Sequence, residues 1–534
     1  MDKFSFNISS SRGLGLGLDT DLLAGFEEDS GLTTRAPDNT EENNSGTHEL
    51  LHSLSNPKPK PFVTAAVVEP PSLYLELARH KACGELSSYL LSAVPLLRMP
   101  AFERWIIDSK RRERGGGRDA VLPSQFEGND LLIDEIEESW AAEEGSSSSS
   151  KKKRKRKGPE SASESASESA QDIVNSLCQK TLMAITALRN LQHKSDPKIV
   201  VEENKLEGTL SLVLKKKKNK KKGDDGKKNL FVIKVNYSHV TKLLALYNAK
   251  AGAKAGTEQI TNPLVSQKFL SLVSCVLLRY SSLSGGQLLT SLRGGGMQGA
   301  VHADFFDVLQ RWNCAGEVFA SPLNCYFRGF CSAFRDIDVV FGSGGSFFDV
   351  PLGFFGGACY EANPPFSPLF MVDFARRVEA ELEKRCKGRT LFVVVVPESG
   401  EMDGEPDGEG GVVRRACKKS YDLMVTSRYC RKVIVLEKGE HGYVEGAQAL
   451  RPTRYKSSQY NTSVIFLCNE DGWEVGDEEE QEVRDSFASK FEEEFAVRKR
   501  TKSSSDLEST QKPENEKVST KQRFNIFFVI LSSQ

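Results

Sequence analysis

The residues best suited to chemistry are Asn363-Pro364-Pro365-Phe366. The exocyclic amine of a nucleobase is a poor nucleophile because its lone pair is delocalised into the ring. The Asn363 side-chain oxygen and a proline carbonyl can each accept one N–H of such an amine. These two hydrogen bonds would hold the amine pyramidal and aim its lone pair at a methyl donor, which is catalysis by positioning. The motif therefore indicates methyl transfer to an aryl amine.

The remaining residues of the motif fit this chemistry. Pro364 and Pro365 fix φ and lack N–H donors, so the turn is rigid and rich in acceptors. The ring of Phe366 can stack on a base, a contact worth roughly 1–3 kcal/mol. A purely structural alternative is a rigid loop, because Asn-Pro is a common way to start a turn.

The flanking segments favour the methyltransferase interpretation. Residues 359–362 can end a strand, and residues 369–386 have the periodicity of an amphipathic helix. Residues 391–396 are apolar on both faces, as a strand of a parallel sheet requires. Asn363 is therefore predicted to lie on a strand-to-helix turn, and such turns line the ligand crevice of open α/β sheets.

The alternation of strands and helices extends over residues 284–475. Predicted strands cover residues 317–320, 391–396, 432–436 and 462–467, and predicted helices cover residues 302–312 and 421–429. This alternation predicts an α/β fold with a parallel-type sheet that is covered on both faces.

A nucleoside cofactor would bind beside the first strand of this sheet, often over a glycine turn. Gly342-Ser343-Gly344 precedes Asn363 by only about twenty residues, which is too short for two crossovers. We therefore assign the cofactor turn to residues 321–324 and expect the Gly342 loop to form another wall. The glycine-rich segment at residues 294–299 could close over the carboxylate end of the cofactor.

The rest of the chain divides by composition. Residues 66–112 and 171–283 are predicted to form a mainly helical domain with a strand pair at residues 209–214 and 229–235. Residues 113–170 are predicted to be a low-complexity linker that includes a short helix around Trp140. Residues 1–65 are predicted to be a disordered tail, and residues 476–534 an acidic helix followed by another such tail.

Charge is strongly clustered, although the net charge of the 534 residues is only −1. Residues 151–157 are all Lys or Arg and cannot pack, which predicts a nuclear import signal or a nucleic-acid contact. We therefore expect a nuclear protein. The eleven cysteines are scattered without a Cys-x-x-Cys pair, so we expect reduced thiols and no metal site. We also expect no signal peptide and no membrane span.

Long stretches around the motif resemble one known family. They are Glu317 to Phe327, Ser332-Ala333-Phe334 with Asp336 and Asp338, Phe341-Gly342-Ser343, and Glu361 to Phe366, followed by Val396-Pro397-Glu398, Glu440-His441, Tyr443 and Asn461-Thr462. The stretches are similar to the phosphorylated-CTD-interacting factor family, the cap-specific mRNA (2′-O-methyladenosine-N6)-methyltransferases. The resemblance is strong from about residue 265 to about residue 475 and weaker from about residue 72.

The resemblance implies an activity and an architecture. It implies S-adenosylmethionine as donor and methyl transfer to N6 of the adenosine next to the 7-methylguanosine cap of mRNA. It also implies a Rossmann-like class I methyltransferase domain packed against the mainly helical domain, with the cap held between them.

The resemblance also implies roles for individual residues. The target amine and base would be carried by the catalytic residues Asn363, Pro364, Pro365 and Phe366. The cofactor would be bound by Gln298, Ser321, Asn324, Asp349 and Glu361. The substrate would be bound by Glu398 and His441. The cap-binding residues of the helical domain do not align with the family, and we assign this role to Arg104, with Arg98 as an alternative.

Animal members of the family carry an N-terminal WW module that binds the phosphorylated polymerase tail. The tryptophans here are Trp105, Trp140, Trp312 and Trp473, and no two of them have WW spacing. We therefore expect no WW domain, which leaves direct binding of the RNA polymerase II tail without support from the sequence.

Three other functions stay open from the sequence. An N6-adenine methyltransferase acting on internal RNA or DNA would use the same amine chemistry. A protein-glutamine methyltransferase would also use an Asn-Pro-Pro turn, although Phe366 and the basic segments favour a nucleic acid. A catalytically inactive RNA-binding adaptor is an alternative from another functional class.

Overall fold

The computed structural model describes residues 71–111, 113, 118–148, 169–191, 195–215, 229–252, 260–290, 294–384, 388–399, 411–450 and 455–488. The predictions for residues 1–65, for the basic run at residues 151–157 and for residues 489–534 lie outside these ranges. Within the described part of the chain, no helix has both the length and the hydrophobicity needed to cross a membrane. The described residues also contain no cluster of three His, Cys, Asp or Glu side chains that could hold a metal ion.

Six helices of eight residues or more precede residue 284 within the described ranges. They are α1 (Leu73–Ala93), α2 (Met99–Lys110), α3 (Asn129–Ser148), α4 (Ala170–Arg189), α5 (Tyr237–Gly252) and α6 (Gln267–Leu283). Several of these helices start at an N-cap residue whose side chain accepts a hydrogen bond from a backbone N–H. Such caps are favourable because the first N–H groups of a helix have no partner within it. Ser72 accepts from the Leu75 N–H at the start of α1, and Ser169 forms a capping box with Asp172 at the start of α4.

The segment predicted to be a linker contains the well-packed helix α3. Leu132 and Ile136, one turn apart, are 1% and 0% exposed, and α3 packs against α2 and α4. The many acidic residues of this segment suggested an exposed linker, and the apolar pair was too short a pattern to predict packing. The predicted short helix around Trp140 is thus part of a helix of 20 residues.

The helical region also contains a small antiparallel sheet. Its strands are β1 (Lys198–Asn204), β2 (Thr209–Lys215) and β3 (Asn229–Asn236), in the order β1-β2-β3. The predicted strand pair corresponds to β2 and β3 and is confirmed. Strand β1 was not predicted, because half of it is charged and exposed at the sheet edge.

A second sheet begins after helix α7 (Ala303–Gln310) and has five strands. They are β4 (Cys314–Glu317), β5 (Cys359–Ala362), β6 (Leu391–Pro397), β7 (Cys430–Leu436) and β10 (Thr462–Cys468). The spatial order is β4-β5-β6-β10-β7. The parallel prediction holds for β4, β5 and β6. It is wrong for β10, which is antiparallel to both β6 and β7.

Three helices and a small hairpin accompany this sheet. The helices are α8 (Arg335–Asp338), α9 (Pro368–Glu383) and α10 (Gly411–Val425), and the hairpin strands are β8 (Gly442–Val444) and β9 (Tyr455–Ser457). Residues 477–488 are helical. The predicted mixture of strands and helices is therefore confirmed as an α/β structure. Two elements are displaced along the chain. Strand β4 ends at Glu317, where the sequence predicted a strand to begin, and α10 begins ten residues before the helix predicted at residues 421–429.

The helical region and the region of the second sheet share one hydrophobic core. Leu323, Phe330, Phe334 and Phe341 belong to the same buried cluster as the side chains of α1 and α6. Arg279 of α6, which is 1% exposed, reinforces this junction. Its guanidinium lies 2.6 Å from Glu76 and 2.8 Å from Asp336 of α8. The packing is therefore continuous across the domain boundary predicted near residue 284.

Candidate active site

A cavity of about 400 Å³ lies at the carboxyl ends of strands β4 and β5. Parallel neighbours end at the same edge of a sheet, so the residues that follow these two strands meet there. Five polar residues singled out from the sequence line this cavity: Gln298, Ser321, Asn324, Asp349 and Asn363. Pro365 lines it as well. The structure thus brings together most of the predicted catalytic and cofactor residues.

Asn363 follows β5 directly and has a fixed side-chain orientation. Its Nδ2 donates to the Gly299 carbonyl at 3.0 Å. Its Oδ1 accepts no hydrogen bond from the described residues, so an acceptor is left open beside the cavity. This is the arrangement that recognition of an amine requires, because an amine offers N–H groups and needs oxygen acceptors.

The two prolines differ in their surroundings. Pro364 is buried, whereas Pro365 is half-buried and lines the cavity. The Pro365 carbonyl accepts the Ser367 N–H at 2.8 Å. Phe366 is half-buried and does not line the cavity, and its ring contacts no other aromatic ring of the described residues.

The predicted cofactor turn is braced by reciprocal hydrogen bonds. The Ser321 N–H donates to Asn324 Oδ1 at 2.7 Å, and the Asn324 N–H donates to Ser321 Oγ at 3.3 Å. The Ser321 hydroxyl also donates to Asn324 Oδ1 at 2.8 Å. Short side chains that bond their own backbone in this way stabilise tight turns. The turn that the sequence predicts to bind the cofactor is therefore rigid.

The glycine-rich segment at residues 294–299 joins the two asparagines. Asn324 Nδ2 donates to the Gln298 carbonyl at 3.2 Å, and the next carbonyl, that of Gly299, receives Asn363 Nδ2. The Gln298 side chain points away from this contact, and its Nε2 donates to the Tyr280 carbonyl and to Ser284 Oγ. The segment is thus part of the site wall.

Aromatic side chains form the apolar wall of the cavity. Phe319, Phe347, Phe348 and Phe370 line it. Their rings meet edge to face, with centroids 5.5 Å apart for Phe319 and Phe347 and 5.3 Å apart for Phe348 and Phe370. Such pairs are stiff, and they offer flat surfaces against which a planar ring can pack.

Glu361, a predicted cofactor residue, lies beneath the cavity and does not line it. It is 1% exposed and is the register partner of Glu317 on β4. Burial, followed by the nearby Glu317 carboxyl, raises the pKa of Glu361 well above its usual range. Burial also raises the pKa of Glu317 to about 7, although the Phe327 and Tyr326 N–H groups oppose this effect.

The three predicted substrate residues lie outside the cavity lining. Arg104 forms a two-point ion pair with Glu135, with its Nε 2.9 Å from Oε1. Glu398 accepts from Asn461 Nδ2 at 3.0 Å. His441 is 1% exposed, and its Nε2 lies 2.7 Å from Thr462 Oγ1. The roles given to these residues stay predictions.

The sequence predicted a substrate contact for Arg104 of helix α2, but it did not predict that α2 forms one side of the cavity. Ile106, Ile107, Lys110 and Arg111 line it. Asp108 of the same helix accepts the Phe370 N–H at 2.9 Å and the Leu369 N–H at 3.3 Å, in the first turn of α9. The available signal was the pair of acidic residues, Glu103 and Asp108, which flank the largely apolar stretch Trp105-Ile106-Ile107.

Comparisons with known proteins agree with the resemblance seen in the sequence. Over 246 residues, the chain is 33% identical to a mouse protein named mRNA (2′-O-methyladenosine-N(6)-)-methyltransferase. It is 32% identical to the human protein of the same name over a stretch of the same length. Each match covers 45% of this chain and 30% of the relative, so the chain matches less than a third of each relative's length.

One family model also matches, and it corrects a prediction. The model described as the phosphorylated CTD interacting factor 1 WW domain matches residues 242–446. The prediction that the chain has no such domain was therefore wrong. That prediction depended on a pair of tryptophans, whereas the matched region contains a single one, Trp312. The argument against binding of the polymerase tail depended on the same absence and no longer stands.

Proposed function

We propose that this protein transfers a methyl group from S-adenosylmethionine to N6 of the adenosine that follows the 7-methylguanosine cap of mRNA. The observation that carries the proposal is the Asn363 side chain. Its N–H is engaged by Gly299, and its oxygen is left open beside the cavity. The names of the mouse and human relatives support the substrate.

We further propose that residues 284–475 form a Rossmann-like methyltransferase domain. Supporting this, the sheet has three adjacent parallel strands and one antiparallel strand inserted near the other edge. Phe330 also pairs in parallel with Glu317 and with Ser343, which continues the sheet pattern beyond β4. A cavity at the carboxyl ends of the strands is where such sheets bind ligands.

The residues around the cavity fit a nucleoside donor. The phenylalanine wall suits an adenine ring, and the Asp349 carboxylate can accept hydrogen bonds from ribose hydroxyls. The volume of about 400 Å³ lies in the usual range of ligand sites. When bound, S-adenosylmethionine would supply an electrophilic methyl carbon on a sulfonium sulfur.

The protein's contribution to the reaction is positioning. Asn363 Oδ1 accepts one N–H of the target amine, and we assign the second acceptor to the Pro364 carbonyl, because the Pro365 carbonyl already accepts the Ser367 N–H. With both N–H groups held, the lone pair of the amine points along one direction. Phe366 stacks on the base and fixes the plane of the ring.

The deciding experiment compares RNA substrates that begin with adenosine. Capped RNA carrying 2′-O-methyladenosine, uncapped RNA and internal-site RNA are incubated with the full chain and S-adenosylmethionine. Mass spectrometry of the cap dinucleotides and of the nucleosides released from each RNA is then expected to show N6 methylation of capped RNA only. Equal rates on all three RNAs would favour the internal adenine methyltransferase. Donor binding without transfer to any RNA would defeat the proposal.

We also propose a nuclear location, which rests on the composition of residues 151–157. The test is a fluorescent fusion of the full chain in which these cations are replaced by alanine. Loss of nuclear accumulation is expected. A fusion that stays nuclear after the replacement would refute the role of this run.

A further inference from the structure

A carboxylate from helix α2 holds the glycine-rich segment at residues 294–299. Glu103 is 0% exposed, and its Oε1 accepts the Gly295 N–H at 2.6 Å. Its Oε2 accepts the Met297 N–H at 3.3 Å. Both carboxylate oxygens are therefore bonded to the backbone of one loop, 192 and 194 residues further along the chain.

The loop contains a short 3₁₀ turn, in which the Gln298 N–H donates to the Gly295 carbonyl at 3.0 Å, and depends otherwise on partners outside it. Gly294 and Gly295 have φ values of 85° and 81°, which other residues rarely adopt. Glycines have no side chains to pack, so the conformation depends on partners outside the loop. On the far side of the loop, Ala300 and Val444 exchange two backbone hydrogen bonds of 3.0 and 2.8 Å. Glu103 holds Gly295 and Met297, while the Gln298 side chain is held separately by the Tyr280 carbonyl and Ser284 Oγ.

The loop in turn determines which way the Asn363 amide faces. A side-chain amide can rotate by half a turn, which exchanges its oxygen and its nitrogen. In one orientation Asn363 presents an acceptor to the target amine, and in the other it presents N–H groups that cannot bind an amine hydrogen. The Gly299 carbonyl selects the first orientation by accepting Nδ2.

We propose that Glu103 is a positioning residue for methyl transfer, acting through the loop at residues 294–299 on the orientation of the Asn363 amide. The inference rests on the proposed function. It assigns a catalytic effect to a side chain that touches neither the target amine nor the methyl donor.

The contacts predict which kinetic constant changes. Asn324 is anchored twice, by the Gln298 carbonyl and by the Ser321 turn. The Asn363 amide is anchored among the described residues only by Gly299. Gln298, which the resemblance assigns to the donor, is held separately, because its Nε2 donates to the Tyr280 carbonyl and to Ser284 Oγ. Displacing the backbone at Gly295 and Met297 should therefore disturb Asn363 more than the donor contacts. The expected effect is on kcat, with little change in donor binding.

The primary test compares Glu103→Gln and Glu103→Ala in the full chain. Gln keeps one acceptor oxygen and Ala keeps none, so kcat on capped RNA should fall in the order wild type, Gln, Ala. A displacement of this kind costs about tenfold to a hundredfold in rate, whereas the donor Kd from calorimetry should change by less than about threefold. Asp196→Asn is the matched control, because Asp196 accepts from Ser72 and from the Tyr74 N–H outside the cavity lining. This control should keep wild-type kcat.

A double-mutant cycle tests whether the effect passes through Asn363. Methyl transfer by the slow Asn363→Ala variant is measured in long single-turnover incubations. Adding Glu103→Gln to this variant should not lower its rate further. An equal loss in both backgrounds, or a Glu103→Gln enzyme with wild-type kcat, would overturn the inference. A wild-type chain that methylates no capped RNA would instead overturn the proposed function and this inference with it.

Gly294→Ala replaces Glu103→Gln if melting curves show that the latter does not fold. An added Cβ would be strained at a φ of 85° and would lie 3.0 Å from Glu103 Oε1, so the loop and the carboxylate must move apart. The same fall in kcat with unchanged donor Kd is expected. Wild-type kcat in this variant would overturn the inference.

Discussion

Glu317 and Glu361 are register partners on adjacent parallel strands, and both carboxyl groups are buried beneath the candidate active site. Glu317 accepts the Tyr326 and Phe327 N–H groups at 2.7 and 2.8 Å. Oε1 of Glu361 has no hydrogen-bond partner among the described residues. Ionising both of two adjacent buried carboxyl groups costs free energy through desolvation and mutual repulsion. The folded pair therefore stays protonated at pH values at which the unfolded chain has released these protons.

The pair makes stability depend on pH. The folded pKa of Glu317 is about 7 against an ordinary 4.5, and the pKa of Glu361 is raised in the same direction. The folded state therefore binds more protons, and stability is lost as pH rises from about 4.5 to about 7 and beyond. Glu361→Gln removes one of the two acids and its repulsion of the other. We expect its melting temperature to exceed that of wild type at about pH 8, with a smaller difference at about pH 5.

Thermal melting at several pH values measures this effect. Glu202→Gln, at an exposed position of β1, is the control and should follow the wild-type curve. A Glu361→Gln variant with the same pH dependence as wild type would show that the pair does not share its protons.

A second prediction concerns the donor turn. Asn324→Ala removes the acceptor for the Ser321 N–H and the donor to the Gln298 carbonyl. If losing these two hydrogen bonds costs about 1.4 kcal/mol of binding free energy, the Kd for the donor rises about tenfold. Isothermal titration with S-adenosylmethionine measures the change in Kd.

Asn469→Ala is the matched control for the donor turn. Asn469 Oδ1 also accepts a backbone N–H, that of Thr390 at 2.7 Å, but it follows the antiparallel strand β10 and lies outside the cavity lining. Donor binding should be unchanged in this control. If Asn324→Ala also bound the donor as wild type does, residues 321–324 would not be the cofactor turn.

The sequence was sufficient to predict the elements with strong local patterns. The strand predicted at residues 391–396 is β6, and the amphipathic helix predicted at residues 369–386 is α9. The observed ends differ from the predicted ends by at most three residues. The rigid Asn-Pro-Pro turn lies at the end of β5, as predicted. These features depend on the periodicity of neighbouring residues, which a single sequence displays.

Features set by distant contacts were not predicted. The antiparallel direction of β10 depends on the path of the chain through β8 and β9. The apolar residues of β10 would suit a parallel or an antiparallel strand equally well, so the sequence does not indicate the direction. The bonds from Glu103 to Gly295 and from Asp108 to Phe370 join residues far apart in sequence. Glu361 matched a family pattern, but its environment beside Glu317 became evident only from the strand register.

A third prediction concerns Phe366. Replacing it by Ala removes the surface on which the target base stacks, a contact worth roughly 1–3 kcal/mol. We expect the KM for capped RNA to rise while the donor Kd stays the same, because Phe366 does not line the cavity. Phe366→Tyr keeps the aromatic face and should recover most of the loss. An Ala variant with the wild-type KM would place the base elsewhere.

The last prediction concerns Asn363 itself. Asn363→Ala removes the acceptor for the target amine, and methyl transfer should fall at least about a hundredfold. The fold and the donor Kd should be retained, because the side chain is half-buried and, within the described part of the chain, its single hydrogen bond is to Gly299. Asn363→Asp is the informative companion, since it keeps an acceptor but loses the N–H that bonds the Gly299 carbonyl. It should also be slow, because a carboxylate oxygen facing that carbonyl is repelled and the side chain turns away. Single-turnover rates on capped RNA, with melting curves for both variants, measure these effects. Near wild-type turnover in Asn363→Ala would mean that another group holds the amine.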